Sequence, residues 1–336
     1  VCLMPEIAAG PVAIARAVEL LRGGSLVGLP TETVYGLAAD ANNPEAVSKI
    51  FAAKGRPADH PLIVHLGADD LMPNYARDIP EDAWTLAEAF WPGPLTLILK
   101  KAAGVPDCVT GCQDTVGIRV PAHPVALQLL RAFADKNPSG GGVAAPSANK
   151  FGRISPTTAA HVAVELGESV PLILDGGDCL VGIESTIVDL SRGAPVILRP
   201  GAITAAQIEL VLGKPVVAAS AVQSTLHNAP RVSGSLASHY APRTPLTVLS
   251  LEAIEAKFAA GHCAVIVRDS KALPETMRHR ADVVVLADHP ASYAHDFYRV
   301  LRALDEKGYL NIYVQVLPDT ADWLAVRDRL GRAACR

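Results

Sequence analysis

The sequence predicts an α/β fold in two domains joined by a linker. The predicted parts are a twisted mixed sheet with helices (residues 1–213), a linker or lid (214–245) and a smaller, Rossmann-like α/β domain (246–336). The chain has 336 residues, of which 50% are hydrophobic, enough for two cores of ordinary size. Apolar strand-like runs are unevenly spaced in the first part, whereas strands and helices alternate near the C-terminus.

Helices of the first domain are predicted from apolar periodicity and from capping residues. Residues 11–22 place Ile14, Val18 and Leu21 on one face, and Gly23 suits the C-terminal stop. The other predicted helices, with Asn43 and Ser155 as candidate N-caps, span residues 44–54, 81–90, 124–134 and 156–166.

The strands of the first domain are predicted from short apolar runs bounded by turn residues. In chain order these runs are SLVGLP, LTLILK, TVGIRV, GVAAPS, PLILDGG, STIVDL and PVILRPG. Their number and uneven spacing favour a mixed sheet covered by helices over a strict βαβ repeat.

The C-terminal third changes character twice. Residues 214–245 are rich in Ala, Ser and Pro and nearly free of acidic residues, which indicates a linker. After it LTVLSL, CAVIVRD, DVVVLAD and NIYVQVLP alternate with helical stretches, a pattern typical of a largely parallel sheet. The last helix is amphipathic through Trp323, Val326 and Leu330.

Composition limits the function classes. The net charge of −4 and the pI near 6.2 argue against a general nucleic-acid binder, and 5% aromatic residues argue against a stacking platform for RNA. The six cysteines are scattered, and the one C-x3-C pair lacks matching ligands, so neither disulfides nor a zinc site is expected. No signal peptide or membrane span is predicted, which indicates a cytoplasmic protein.

Polar clusters follow several predicted strands. Because ligands of open α/β sheets gather at strand ends, we expect these clusters to converge on one cleft. Four of the residues are cationic and suit a polyphosphate plus a carboxylate. The clustered residues are Thr31, Glu32, Thr33, Lys54, Arg56, Thr115, Arg119, Ser147, Asn149, Ser155, Glu184, Ser185, Thr186 and Arg199.

Structural explanations stay open for several of these residues. Lys54 and Arg56 near a helix C-terminus could simply cap carbonyls and complement the helix dipole. Ser155 could serve only as an N-cap, Asn149 only as a turn residue, and His65 as a buried core histidine. The arginine inside VGIRVP is harder to explain structurally, since it needs a buried carboxylate or a ligand as its partner.

Taken in order, PTETVYGL, KGRP…HPLIVH, VGIRVP, APSAN…G…SPT, ESTIVDL and ILRPG resemble the YrdC-like family. HYAPRTP and the C-terminal α/β domain resemble its longer, two-domain form, so the resemblance covers nearly the whole chain. It implies an L-threonylcarbamoyladenylate synthase, which condenses L-threonine, bicarbonate and ATP into threonylcarbamoyl-AMP and pyrophosphate. That product supplies the N6-threonylcarbamoyl group of adenosine beside the anticodon in tRNAs that read codons beginning with A.

The resemblance also implies roles for individual residues. The K-x-R…S-x-N signature falls on the catalytic set Lys54, Arg56, Ser147 and Asn149. The implied threonine contacts are Thr33, His65, Arg119, Ala145 (through its backbone) and Ser185. The implied ATP contacts are Arg56, His60, Thr115, Ser147, Ser155, Arg199 and Tyr240. Two positions depart from the family pattern: His60 stands where Asn is frequent, and Ala145 stands where relatives carry Thr.

The implied chemistry needs positioning and charge neutralisation more than a nucleophilic side chain. Mg²⁺ is expected with ATP, without a metal site in the protein itself. Expected partners are downstream proteins that transfer the threonylcarbamoyl group to tRNA, and tRNA in a weak contact; no membrane partner is expected. Two alternatives stay open: a non-catalytic RNA-binding module, and a related carbamoyl- or acyl-adenylate synthase acting on another amino acid.

Overall fold

The computed structural model describes residues 5–137, 140–218, 229–258, 262–278 and 280–335. Residues 219–228, in the middle of the predicted linker, lie outside the described part of the chain. The chain divides into two compact units. The first comprises Val1–Phe151, Pro156–Leu180 and Glu184–Ser235, and the second comprises Gly152–Ser155, Val181–Ile183 and Leu236–Arg336.

The first unit combines strands and helices in mixed order. Its strands are β1 (Glu6–Ala8), β2 (Val27–Leu29), β3 (Gly36–Asp40), β4 (Ile63–His65), β5 (Leu95–Lys100), β6 (Thr115–Arg119), β7 (Val143–Ala144), β8 (Leu172–Leu174), β9 (Thr186–Asp189), β10 (Val196–Arg199) and β11 (Val217–Ala218). Its helices are α1 (Gly10–Arg22), α2 (Pro44–Lys54), α3 (Glu81–Phe90), α4 (Asp107–Thr110), α5 (Pro124–Lys136), α6 (Ala159–Leu166) and α7 (Ala205–Leu212).

Within the described residues, the strands of the first unit form one sheet in the order β1-β8-β2-β3-β7-β4-β6-β5-β9-β10-β11. Parallel pairs such as β4 with β6 and β5 with β9 alternate with antiparallel pairs such as β5 with β6 and β9 with β10. The prediction of a mixed sheet is therefore confirmed.

Helices cover both faces of this sheet. Along β3, Leu37 and Ala39 belong to one apolar cluster and Ala38 to the other, as expected when successive side chains point to opposite faces. The first cluster takes Ile50 from α2, and the second takes Leu21 from α1. The two apolar clusters form the core of the first unit on either side of the sheet. Polar residues such as His65 and Arg119 lie at the ends of the strands.

Helix α2 begins and ends where its capping residues predict. The side chain of Asn43 accepts hydrogen bonds from the backbone N–H groups of Glu45 (3.0 Å) and Ala46 (3.2 Å). Gly55 follows Lys54 in the left-handed conformation, at φ 62°, and stops the helix. The chain then turns and presents Arg56 beyond the helix end.

The predictions for the first unit miss several elements (β1, β3, β11, α4 and α7 among them) and misplace the start of one helix. Strand β3 was not predicted, because its sequence GLAAD carries no β-branched or aromatic residue. Helix α6 begins at Ala159 with Thr158 as its N-cap, so Ser155 is not a cap. Residues 156 and 157, which precede the helix, are held outside it by other segments. The Pro156 carbonyl accepts the Tyr35 N–H (2.9 Å), and the Thr157 carbonyl accepts the Cys179 N–H (3.0 Å).

The second unit has a parallel sheet, as predicted. Its strands, in the order β12-β15-β13-β14 within the described residues, are β12 (Leu246–Leu249), β13 (Cys263–Arg268), β14 (Val283–Leu286) and β15 (Asn311–Gln315). Its helices are α8 (Leu251–Phe258), α9 (Pro290–Asp305) and α10 (Leu324–Ala334). Among the described helices of the whole chain, none combines the length and apolar character that a membrane crossing requires.

A short segment from the middle of the chain is built into the second unit. Arg302 of α9, a buried arginine, donates hydrogen bonds to the carbonyls of Ile154 and Ser155. Asp305 at the end of the same helix accepts bonds from the Thr244 N–H (2.7 Å) and from Arg153 Nη2 (3.0 Å). Helix α9 therefore fixes Gly152–Ser155 although about half of the chain separates them.

Candidate active site

Two predicted threonine contacts lie side by side at the ends of parallel strands. His65 ends β4 and Arg119 ends β6, and the two residues are register partners. Arg119 is only 4% exposed, and its guanidinium donates to the Gly93 carbonyl (3.2 Å) and to Thr33 Oγ1 (2.9 Å). Its Nη2 lies 2.6 Å from Glu32 Oε1, so the buried partner that an arginine in an apolar strand requires is Glu32.

The PTET turn that follows β2 is tightly ordered. Thr31 Oγ1 accepts the N–H groups of Thr33 (3.2 Å) and Val34 (3.3 Å) and donates to the Val34 carbonyl (2.6 Å). The Thr31 and Thr33 hydroxyl oxygens are also 2.9 Å apart. This turn holds Thr33 beside Arg119, so the structure brings these two predicted residues together.

His65 is a neutral imidazole. Burial, and secondarily the charge of Arg119, lower the pKa of His65 to about 3. Its Nδ1 lies 3.2 Å from the Ile63 carbonyl, so Nδ1 carries the proton and Nε2 is an acceptor. At neutral pH His65 therefore offers a hydrogen-bond acceptor and no positive charge.

Lys54 is buried, with 2% of its surface exposed, and points to backbone carbonyls. Its Nζ donates to the carbonyls of Ser147 and Asn149, which joins the K-x-R segment to the S-x-N segment. The pKa of Lys54 is lowered well below its usual value, mainly by burial and further by the positive charge of Arg56. The ammonium group thus holds the loop that carries two other predicted catalytic residues.

The S-x-N loop runs beside β3 and β4. Ser147 forms a bridge with Gly36, and the Asn149 side chain donates to the Lys150 carbonyl at 2.7 Å. The Ala145 N–H donates to the Ile63 carbonyl at 3.0 Å. A ligand that contacts the backbone of Ala145 must therefore use its carbonyl.

Ser185 and Arg199 form a second polar cluster. Arg199 donates from Nε to the Ser185 carbonyl (3.0 Å) and from Nη2 to Ser185 Oγ (3.0 Å). The same hydroxyl lies 2.8 Å from Thr96 Oγ1 on β5. The two predicted residues, one for threonine and one for ATP, are thus in direct contact.

Arg56 and Arg199 are brought together through one residue. Arg56 Nη2 donates to Ser233 Oγ (3.3 Å) and to the Pro61 carbonyl (2.9 Å), while Arg199 Nη1 donates to the Ser233 carbonyl (2.8 Å). His60 lies beside Arg56, and partial burial together with that charge lowers the pKa of His60. These contacts place the predicted phosphate-binding cations near each other.

Three predicted ATP contacts are not part of these clusters. Thr115 is buried at the start of β6, at the opposite end of the strand from Arg119. Ser155 and Tyr240 belong to the second unit. There Tyr240 adopts φ 62°, and its ring lies 5.7 Å from that of Tyr298.

The structure adds residues that were not identified from the sequence. Thr96 is a polar residue inside the apolar run LTLILK, which was a usable signal for a buried hydrogen bond. Gly93 and Ser233 act partly or wholly through backbone carbonyls, which side-chain patterns do not reveal.

Comparisons with known proteins cover both units. A family model described as "Telomere recombination" (Sua5_yciO_yrdC) matches residues 19–201, and one described as "Threonylcarbamoyl-AMP synthase, C-terminal domain" matches residues 203–335. The threonylcarbamoyl-AMP synthase of Pyrococcus abyssi is 38% identical over 96% of this chain and 94% of its own length. That of Bacillus subtilis is 39% identical over 98% of this chain and 95% of its own length.

Solved structures agree with this result. The crystal structure of P. abyssi Sua5 complexed with L-threonine matches with a TM-score of 0.86 and 36% identity, covering 99% of this chain and 98% of that one. A variant of the same protein also gives a TM-score of 0.86, over 98% of this chain and 96% of that one, at 36% identity. With two family models and full-length relatives in agreement, the chain belongs to the two-domain threonylcarbamoyl-AMP synthase family.

Proposed function

We propose that this protein is an L-threonylcarbamoyladenylate synthase that condenses L-threonine, bicarbonate and ATP into threonylcarbamoyl-AMP and pyrophosphate. The observation that carries the proposal is that Thr33, His65 and Arg119 lie together at the ends of two central strands, β4 and β6. In addition, Arg56 and Arg199 both donate to Ser233. This convergence occurs in a chain whose full-length relatives are named threonylcarbamoyl-AMP synthase.

Threonine is assigned to the Arg119 cluster. Arg119 supplies a guanidinium for the threonine carboxylate, and its bonds to Gly93 and Thr33 hold that group in place. Neutral His65 and the hydroxyls of Thr33 and Ser185 suit the amino and hydroxyl groups of the same substrate. The Ala145 carbonyl is the remaining proposed contact.

ATP is assigned to Arg56 and Arg199, which carry the positive charge for the triphosphate. Ser147 and Asn149 lie on the loop held by Lys54, and His60 lies beside Arg56 as a neutral hydrogen-bond donor. We assign Thr115, Ser155 and Tyr240 to ATP on the family pattern alone.

The reaction needs no protein nucleophile. The threonine ammonium group loses a proton, and the resulting amine and bicarbonate give an N-carboxylate with loss of water. A carboxylate oxygen then attacks the α-phosphorus of ATP, forming one P–O bond while the bond to pyrophosphate breaks. The protein contributes alignment of the two substrates and charge neutralisation, which suffice for phosphoryl-type transfer.

Mg²⁺ is proposed to arrive with the nucleotide. Among the described residues no group of three or more His, Cys, Asp and Glu side chains is placed to hold a metal ion. Because Mg²⁺ commonly keeps several waters and binds through substrate phosphates, a cation carried on ATP fits this residue set.

The product is a reactive mixed anhydride, so we propose that it passes to a protein that transfers the threonylcarbamoyl group to tRNA. A contact with tRNA itself would be weak, since the chain is net acidic, at −4. We also propose a cytoplasmic location, which the role of the full-length relatives supports.

The proposal is tested by pyrophosphate release from the purified full-length chain. We expect release that requires ATP, threonine and bicarbonate together, and a threonylcarbamoyl-AMP product detectable by mass spectrometry. Serine in place of threonine should react with lower kcat/KM, by about 5- to 150-fold, the range for one methyl group. Tight tRNA binding without pyrophosphate release would instead favour an RNA-binding module, and equal rates with serine would favour a different amino acid.

A further inference from the structure

Residues 229–235, which we call the strap, are docked on the first unit. Val232 in its centre is 6% exposed and packs in a small apolar cluster with Ile98 of β5 and Ile187 of β9. The strap is therefore a packed part of the first unit and not a solvated continuation of the linker.

One side chain anchors the strap at its start. The Gln113 amide behaves like a backbone unit toward Arg231: its Oε1 accepts the Arg231 N–H (2.7 Å), and its Nε2 donates to the Arg231 carbonyl (3.1 Å). The Arg231 side chain adds a bond from Nη2 to the Gly111 carbonyl at 2.7 Å. Three hydrogen bonds thus fix the strap within two residues of Ser233.

Ser233 is where the strap meets the proposed ATP site. Its Oγ accepts from Arg56 (3.3 Å) and its carbonyl accepts from Arg199 (2.8 Å). Two guanidinium groups repel each other, so a shared neutral acceptor keeps them together without neutralising either charge. The bonds to Ser233 therefore set the spacing of the two cations before an anion arrives.

We propose that Gln113 and Ser233 are positioning residues for ATP: Gln113 seats the strap, and Ser233 sets the spacing of Arg56 and Arg199. The inference rests on the proposed function, in which these two arginines hold the triphosphate. Ordering the arginines before ATP arrives lowers the entropy cost of binding, so a loosened strap weakens ATP binding selectively. Threonine affinity should change less, because none of the bonds above involves Thr33, His65 or Arg119, although Ser185 is bonded to Arg199.

The test uses full-length variants and calorimetric binding of ATP and of threonine in separate titrations. We expect Gln113→Ala to raise the Kd for ATP by about 3- to 10-fold and Ser233→Ala by about 2- to 4-fold, with the Kd for threonine within about two-fold of wild type. Gln128→Ala, the same substitution at an exposed position of α5, and Ser48→Ala, which removes a hydroxyl that donates to the Glu45 carbonyl within α2, serve as matched controls and should bind ATP as wild type does.

Arg231→Ala provides a second route if Gln113→Ala does not fold. It keeps the backbone bonds to Gln113, removes the bond to Gly111 and the exposed ion pair with Asp59 (3.7 Å), and should also raise the Kd for ATP. Unchanged ATP affinity in the folded Gln113, Ser233 and Arg231 variants would overturn the inference and leave the proposed function standing. An equal loss of threonine affinity would also overturn it, because the strap would then support the whole unit. A wild-type protein that binds no ATP would overturn the proposed function itself.

Discussion

Arg119 and Glu32 are a buried ion pair whose two members depend on each other. Their side chains are 4% and 5% exposed, and Nη2 and Oε1 are 2.6 Å apart. The pair is not aligned as a hydrogen bond, so Arg119 Nη2 and both oxygens of Glu32 have no hydrogen-bond partner among the described residues. A close but poorly aligned pair orients the guanidinium while leaving Nη2 a hydrogen to donate elsewhere.

Glu32→Gln should destabilise the protein and weaken threonine binding. The substitution keeps the shape but leaves a buried guanidinium without a counter-charge, which typically costs about 3–5 kcal/mol of unfolding free energy. Urea denaturation and threonine titration measure the two effects. Glu88→Gln, at an exposed position of α3, is the control and should change neither quantity. Wild-type stability in Glu32→Gln would mean that Arg119 does not need this partner.

His65 predicts a pH dependence of stability. Its folded pKa of about 3 lies below the value near 6.5 of an unfolded histidine, so the unfolded chain binds the extra proton in between. Its contribution is full above pH 6.5 and is lost as the pH falls toward 3. Between pH 7 and pH 5 wild type should therefore lose about 2 kcal/mol more unfolding free energy than His65→Gln. Parallel pH profiles in chemical denaturation would contradict the neutral, buried imidazole.

At the scale of elements, the two ends of α2 have different roles: the N-terminal end stabilises the helix, and the C-terminal end supports the candidate site. Asn43 caps its first turn, and Lys54 at its other end holds the carbonyls of Ser147 and Asn149. The two ends are both polar and both satisfied, but only the C-terminal end leads to the candidate site.

Lys54→Met and Asn43→Ala should therefore behave differently. Asn43→Ala should lower the unfolding free energy by about 1 kcal/mol and keep turnover near wild type. Lys54→Met leaves two buried carbonyls unsatisfied, so it should cost about 2–4 kcal/mol and also reduce pyrophosphate release by at least about ten-fold. Urea denaturation and the pyrophosphate assay at 20 °C distinguish them. Equal turnover in the two variants would reduce Lys54 to a structural residue.

The elements that were predicted correctly have strong local signals, whereas β3 does not. Helix α7 was missed although Thr204 and Gln207 form a capping box at its start. Asn43 and Gly55 mark the two ends of α2, and β5 is a short apolar run directly after the Pro-Gly-Pro turn of residues 92–94. Strand β3 is an Ala-rich segment whose extended form is imposed by its neighbours β2 and β7. Likewise α6 starts late because distant backbone groups bind residues before it.

The candidate site divides in the same way. The sequence identified the charged and hydroxyl residues at the strand ends, and their assignment to threonine and ATP stays a prediction. The sequence did not reveal that Lys54 donates to the carbonyls of the distant S-x-N loop. Nor did it reveal that Ser233 accepts hydrogen bonds from both Arg56 and Arg199. Those facts depend on backbone carbonyls and on the chain path, which side-chain patterns do not encode.

For the whole molecule, the two units are not consecutive halves of the chain. Gly152–Ser155 belongs to the second unit, where Arg302 and Asp305 bind it. A chain that ends at Ser235 therefore lacks the groups that hold this segment.

Such a truncated chain should expose the bond after Arg153 to trypsin. In the full-length protein Arg153 is paired with Asp305 at 3.0 Å, and the following carbonyls are bound by Arg302, so this bond should be resistant. Asp305→Asn in the full chain should give an intermediate cleavage rate. Limited proteolysis with mass spectrometry of the fragments measures all three. Equal cleavage of the full-length and truncated chains would show that α9 does not protect the segment.

The place of Gly152–Ser155 in the second unit also matters while the protein is being made. Arg302 and Asp305 are translated roughly 150 residues after Ser155, which at about 5–20 residues per second corresponds to roughly 8 to 30 s on the ribosome. Once β11 has been made, the nascent first unit has all of its strands but still lacks the helix that binds this segment. Ribosome pausing before α9 would prolong the exposure of a segment that begins three residues beyond Asn149, so synonymous codons in this region become relevant to the yield of folded enzyme.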